Sequence, residues 1–292
     1  MNGSVERWSK DEYDKDKRAR STGLKILVDP GQGPAKYFRE VVKGQRFDED
    51  DDERKTSLVL GSLLHEWLLE GKRKWFVTKE RRGSRAYEDD CDDHPGMVAL
   101  KGHEEKKLND WREAVMANAP CRKLFETHGF TEQTIIWDHE VNGVIIPSKC
   151  RLDFLGSDQG VIDLKTTRMK SRADFEKQMV NLHYDLSAAW YLIGMAEAEL
   201  LVGRRIRSAS FSHLVVMGGG NEPAWAYLWP LGPDWIECGI SKVKAATRVL
   251  ADCMSSGVWP DWMQEAQGEM TAPPVWAIEQ SRLLEHSLHA RS

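Results

Sequence analysis

Thr131 to Thr167 reads TEQTIIWDHE VNGVIIPSKC RLDFLGSDQG VIDLKTT, and the fold turns on where this stretch bends. β-branched and aromatic residues dominate it, and two turn signals divide it into three strands. The first is Asn142-Gly143. A two-residue type I′ hairpin turn needs positive φ at both central residues, which this dipeptide tolerates. With 141 opposite 144, counting outward sets Glu132 across from Asp153, provided Pro147 does not interrupt the ladder. The second signal is Ser157-Asp158-Gln159-Gly160. A three-residue loop here puts Asp153 on the same face as Asp163 and Lys165, whereas a two-residue loop puts it on the opposite one. A slip of one residue reverses every side chain.

The last strand, VIDLKTT, alternates, so Asp163 and Lys165 share one face and Leu164 and Thr166 the other. An acid two residues before a lysine is weak on its own, since Glu53, Glu70, Glu104 and Glu105 show it too. With the three-residue loop, however, Glu132, Asp153 and Asp163 crowd beside Lys165. Like charges at close range resist joint ionisation, and a divalent cation resolves the conflict. Such a cation beside a lysine suits attack of water on a phosphodiester. The competing reading is a network of exposed salt bridges.

Working outward, Thr56 to Glu70 is a helix by the spacing of Leu60, Leu64, Trp67 and Leu68, with Thr56 or Ser57 as cap. It carries His65 one turn after Gly61. The H-E-x-x-H zinc pattern is absent, so His65 is either a half-buried histidine or a further ligand on a helix that Gly61 lets approach the sheet. A second helix is expected from about Met97 to Asn118, and a long helical region from Ala173 to about Leu201 with Phe175, Met179, Leu182, Leu186, Ala189 and Ile193 inward. On another face of that region Tyr184, Ser187 and Tyr191 either line a groove or cover a half-exposed surface. Strands follow at Ile206 to Met217 and Ala224 to Trp229, then a helix from Asp234 to Met254. Lys79 to Pro95 reads as loop. Basic clusters stand at Lys79–Arg85, Arg168–Arg172 and Arg204–Arg207, and Arg168 and Lys170, just past the Lys165 strand, are placed for phosphate contact.

The chain has 292 residues, 41% hydrophobic and 30% charged, and 41 basic against 46 acidic side chains leave a net charge of −5. Bulk positive charge therefore cannot be its grip on nucleic acid, although a local basic groove can. No apolar run approaches the ~18 residues of a membrane span. The charged first twenty residues lack a signal peptide and are expected to fray. Five scattered cysteines with no C-x-x-C pair give no disulfide framework or metal cluster. Mixed strands and helices predict one α/β domain over residues 21–264, with 265–292 a tail that either forms one short helix after Pro273-Pro274 or stays free.

The order Gly61-x-x-x-His65, Arg151-x-Asp153, Asp163-x-Lys165-Thr166-Thr167 and a tyrosine-bearing helix resembles the PD-(D/E)XK nuclease superfamily. The segments GSLLHEWLLE, TEQTIIW, KCRLDFL, VIDLKTT, YDLSAAWY and GVWPDW are most similar to its exodeoxyribonuclease VIII (RecE-like, RecB-type) phage and prophage branch. The resemblance spans most of residues 20–263. It implies a restriction-endonuclease-like core, a mixed central sheet flanked by helices. It assigns catalysis to Lys165, Asp163 and Asp153, and metal binding to His65, Asp153, Asp163, the Leu164 backbone carbonyl and Glu132. It places DNA contacts at Tyr184, Ser187, Tyr191, Arg151, Thr166, Arg168 and Lys170. Mg²⁺, with Mn²⁺ as substitute, is the implied cofactor. Linear duplex DNA is the implied substrate, cut from its ends 5′ to 3′ in a bacterial or phage-infected cytoplasm. A single-strand annealing recombination protein and further copies of the chain are the implied partners. Two departures stand out: Leu152 replaces the proline of the motif, and Ser187 replaces the glutamine between the two tyrosines. An endonuclease or single-strand nuclease of the same fold, and an inactive DNA-binding scaffold, are the rival readings.

Overall fold

A computed structural model describes residues 3–45, 52–126, 128–157 and 160–261. The strands are β1 (Gly3–Glu6), β2 (Trp75–Val77), β3 (Val98–Leu100), β4 (Gly129–Val141), β5 (Val144–Gly156), β6 (Val161–Thr167), β7 (Phe211–Gly219) and β8 (Glu222–Pro230). The helices are α1 (Lys10–Lys15), α2 (Ser21–Ile26), α3 (Pro34–Tyr37), α4 (Asp52–Glu70), α5 (Arg85–Asp92), α6 (Gly102–Ala117), α7 (Ala119–Glu126), α8 (Arg172–Asn181), α9 (Tyr184–Glu197) and α10 (Pro233–Ser256).

Six strands form one mixed sheet in the order β1-β4-β5-β6-β7-β8. All neighbours run antiparallel except β6 and β7, which are parallel and joined through α8 and α9. A parallel pair requires such a crossover, because no tight turn can return the chain to the same end. Helices cover both faces. On one, Leu24 of α2, Phe175 of α8, Trp190 of α9 and Val243 of α10 pack on Ile135, Cys150 and Val215. On the other, Leu60 and Leu64 of α4, Leu108 and Trp111 of α6 and Cys121 of α7 pack on Leu164, Leu214 and Val216.

The turn chemistry sets the register as expected. Val141 pairs with Val144, and Asp138 pairs with Pro147, so the proline does not interrupt the ladder. The pairs Thr131–Phe154 and Gln133–Leu152 bracket Glu132 and Asp153. Leu155 pairs with Val161 and the Gly156 amide donates to the Gly160 carbonyl, which leaves a three-residue loop between them.

Four expectations give way. Residues 3–20, read as a frayed start, are built into the fold. β1 lies along β4, Ala19 bridges Ser148, and the fully buried Lys149 ammonium donates to the carbonyls of Tyr13 and Asp16. A buried ammonium without acceptors would be costly, so it recruits the preceding chain. The helix expected from Met97 begins at Gly102, because Val98–Leu100 instead pairs with Trp75–Val77. The long region from Ala173 is two helices, broken at His183, whose φ of 49° is left-handed; Leu182, expected inward, is exposed. Ser84 caps a short helix, α5, inside the segment read as loop. The tail from 265 lies outside the described residues.

Trp190 of α9 anchors its helical layer to the sheet. It is fully buried, its indole donates to the Lys149 carbonyl at 2.9 Å, and it packs 4.8 Å from the Trp137 ring. Trp190→Ala is expected to cost about 3–5 kcal/mol, read as a lower urea midpoint with an unchanged slope. A loss below about 1 kcal/mol would mean that the layers are held elsewhere.

Candidate active site

Glu132 is where β4 departs from ideal geometry. Its φ is 54°, a left-handed conformation that costs a non-glycine residue energy and is uncommon in a strand. Opposite it, Leu152 and Leu155 both reach the same core although three residues apart, so β5 twists between them. Asp153 sits at that twist. Its Oδ2 accepts the Leu164 amide at 2.7 Å, where β5 and β6 part.

α4 brings the fourth element. Leu60, Leu64 and Leu68 bury themselves in the core, leaving Gly61 and His65 toward the sheet. A Cβ at Gly61 would stand 3.1 Å from the Thr166 hydroxyl, so only a residue without a side chain fits here without displacing a neighbour. One turn on, His65 Nε2 donates to the Leu164 carbonyl at 3.1 Å and lies 3.5 Å from Asp153 Oδ2, with Nδ1 3.9 Å from Glu132. His65, Glu132 and Asp153 each offer a ligand atom, all within 4.8 Å of one another. Arg151 pairs with the other oxygen of Glu132. Two carboxylates, an imidazole and a nearby carbonyl are a donor set that fits a hard divalent cation.

Asp163 shares a face with Lys165, as the alternation implies, and stands outside the cluster of His65, Glu132 and Asp153. Its carboxylate is 1% exposed and is held by the Lys165 ammonium at 2.7–2.8 Å and by His213 Nδ1 at 2.8 Å. His213 stands beside it on β7, fully buried among Phe175, Tyr184 and Phe211. The Lys165 ammonium also lies 5.3 Å from the centre of the Tyr184 ring, and Lys25 of α2 lies 5.2 Å from it.

The charges follow from these contacts. Burial pushes Asp153 up to about 6, with Asp163 and Glu132 adding to it. Burial would also raise Asp163, but Lys165 and His213 outweigh it and hold that carboxyl well below the usual range. Burial would lower Lys165, yet the two aspartates raise it, so it remains an ammonium. Burial would lower His65, and Asp153 with Glu132 instead lifts it to about 8. Burial and the neighbouring Lys165 charge bring Lys25 down to about 7.

A cleft of about 640 Å³ opens over these groups. Of the residues read from the sequence, His65, Glu132, Arg151, Asp153, Leu164, Lys165, Thr166 and Tyr184 line it. Ser187 is buried, and Tyr191 packs against Phe211; neither forms its wall. Arg168 and Lys170 line a separate, adjoining cleft. The sequence reading missed His213 and Lys25. The first had a signal, a lone imidazole in the apolar strand FSHLVV; the second, one lysine among many, had none. The five cysteines are free, and no helix among the described residues is long and apolar enough to cross a membrane.

A family model described as a PDDEXK-like domain of unknown function (DUF3799) matches residues 34–269. Among solved structures, one described as a "Putative exonuclease" from Eubacterium rectale is similar in fold. It has a TM-score of 0.60 at 15% identity, over 92% of this chain and 96% of that one. A second, SSO0001, matches 67% of this chain and 85% of its own at 14% identity, with a TM-score of 0.27 too low to carry an argument. No curated protein matches the sequence.

Proposed function

The chain belongs to the PDDEXK-like family DUF3799, and from that premise we propose that it hydrolyses DNA phosphodiesters with the help of a divalent cation, Mg²⁺ or Mn²⁺. The observation that carries this reading is the meeting of His65, Glu132 and Asp153 within 4.8 Å, beside a charged Lys165, in one open cleft. Those three residues and the Leu164 carbonyl would hold the cation, and Asp163, on the neighbouring strand, would join them. A bound cation would polarise a phosphoryl oxygen and acidify water. The chain's own groups do the rest. Lys165 offsets charge that builds on the phosphate and orients the attacking water. Asp163 and His213 fix where that ammonium stands. Burial would raise Glu132, but His65 and then Arg151 outweigh it and hold that carboxyl below its ordinary value.

The substrate we propose is the end of a linear duplex, degraded 5′ to 3′ to leave a single strand for a recombination partner. This rests on the resemblance to the exodeoxyribonuclease VIII branch. The test is digestion of end-labelled linear duplex and closed circular DNA, with Mg²⁺ or EDTA, by the native chain and by Asp163→Asn. Cation-dependent loss of the linear substrate alone, abolished by the substitution, is expected, and the label lost first gives the polarity. Cutting of the circle would establish an endonuclease instead. No cleavage under several divalent cations would leave a DNA-binding scaffold.

Cation binding should also depend on pH. His65, raised to about 8, competes as a proton-bearing group below that value, and Asp153, raised to about 6, competes below its own. Both must lose a proton to become ligands, so affinity should climb between pH 6 and pH 8. Titration calorimetry with Mn²⁺ at the two pH values measures it; equal affinities would mean that these two residues are not the ligands.

A further inference from the structure

β8 is the outer strand of the sheet beyond β7, and its two faces differ. Ala226 is buried in the core beneath α6 and α7, with Ala224 and Leu228 packed beside it. The alternate positions, Trp225, Tyr227 and Trp229, therefore share the opposite face. Among the described residues α8 covers only one end of it: Trp229 packs 5.2 Å from the Phe175 ring, while Trp225 is 54% exposed and Tyr227 43% exposed. Three aromatic rings on one edge strand, two of them bare, are a poor way to face water.

The surroundings are cationic. Trp225 lines a cleft of about 670 Å³ with His103, Lys107, Arg168 and Lys170. Arg172 lies over the Trp229 ring at 5.2 Å. Glu222 supplies an opposing charge, and it pairs with Lys170 at 2.6 Å. Burial, and then the Arg168 charge, hold Lys107 below its ordinary value. In a chain with a net charge of −5, this convergence of positive groups is a local exception that favours an anion.

The position ties it to the proposed nuclease centre. Thr166 lines the first cleft and Thr167, the next residue of β6, lines this one. We infer that the exposed face of β8 and the basic cleft beside it bind single-stranded nucleic acid, bases on Trp225 and Tyr227 and phosphates on Lys107, Arg168 and Lys170. As a site for the single strand beside the cutting centre, it rests on the nuclease reading; as a binding site it stands on its own residues. The spacing suits such a ligand. Alternate residues of a strand repeat at ~6.8 Å, twice the ~3.4 Å rise of a stacked nucleic-acid strand, so each ring meets every second base or every base of an extended strand. Stacking of this kind tolerates any sequence and works with a charged groove that tracks the backbone.

The test is fluorescence anisotropy of a labelled oligodeoxythymidylate in EDTA, so that no cleavage intervenes. Trp225→Ala should weaken binding about tenfold, Trp225→Ala with Tyr227→Ala further, and Trp225→Phe much less. Arg168→Gln with Lys170→Gln should weaken it and flatten its salt dependence. Matching melting temperatures show that the variants fold. Binding by Trp225→Ala equal to that of the native chain would overturn the inference. So would sedimentation showing that Trp225→Ala splits an oligomer, which would make the face a contact between copies. A native chain that binds through Trp225 but cuts no DNA would remove the nuclease reading and leave this site standing. A chain that degrades duplex, with oligonucleotide binding indifferent to Trp225 and Tyr227, would do the reverse.

Discussion

Lys165→Ala is expected to slow DNA cleavage by about a thousandfold while leaving cation binding largely in place. The ammonium lies outside the His65, Glu132 and Asp153 cluster, yet lines the same cleft and is fixed by both oxygens of Asp163. Groups aimed at charge that develops during reaction contribute about 10²–10³ each when removed singly. Lys165 should stand at the upper end, because it is a charged ammonium on the cleft wall and the group proposed to orient water. Single-turnover rates on an end-labelled duplex give the first quantity, and the Mn²⁺-induced rise in melting temperature gives the second. A rate within tenfold of native would remove Lys165 from the chemistry. Loss of the Mn²⁺ effect along with the rate would make it a structural support of the cluster.

Asp163→Ala should be the more damaging change to the protein itself, at roughly 3–5 kcal/mol of folding stability in the absence of metal. The substitution leaves the Lys165 ammonium, 24% exposed at its side chain, and His213, fully buried, without their shared partner. Asp163→Asn keeps the shape and one acceptor, and should lose less. The pH dependence has a definite sign. A carboxyl whose folded pKa is depressed contributes stability that is present above the unfolded value, ~4, and lost as pH falls through the folded one. For Asp163 the folded value lies well below that. The gap between native chain and Asp163→Ala should therefore be the same at pH 5 and pH 7.5 and shrink only in strong acid. Urea unfolding at the two pH values measures it. A gap below about 1 kcal/mol, the worth of an exposed ion pair, would show that water already shares these charges.

These effects explain how much of the site was legible beforehand. The register across Glu132 and Asp153 could be counted because Asn142-Gly143 fixes a loop length by backbone chemistry and β pairing then propagates without slippage, whereas Asp163 fell beside Asp153 only on the three-residue alternative for the second loop. Gly61 and His65 could be placed because both lie on one short stretch of a strongly periodic helix. What could not be counted came from segments that only the finished fold brings close. His213 reaches Asp163 through the parallel β6–β7 pairing, whose register follows from the α8–α9 crossover and not from a turn. Lys25 arrives from α2. The second partner of Asp163 was hidden for the same reason: nothing near it in the sequence ties His213 to its carboxylate. On the Tyr184–Tyr191 helix Tyr184 reaches the cleft wall and Ser187 and Tyr191 do not, a difference hidden in the sequence because a continuous apolar spacing from Phe175 onward concealed the break at His183. Rotation after that break buries Ser187.

The chain ahead of residue 34 falls outside the family match, yet it cannot be trimmed away without consequence. Lys149 gives its ammonium to the carbonyls of Tyr13 and Asp16, and Trp8, Ser9 and Lys10 form part of the rim above His65 and Asp153. A fragment starting at residue 34 would lose Leu24 and Leu27 from the core, strip a buried cation of its acceptors and open one bank of the cleft. The shortest piece that keeps both its shape and its site therefore begins near residue 3, thirty or so positions before the homologous region does.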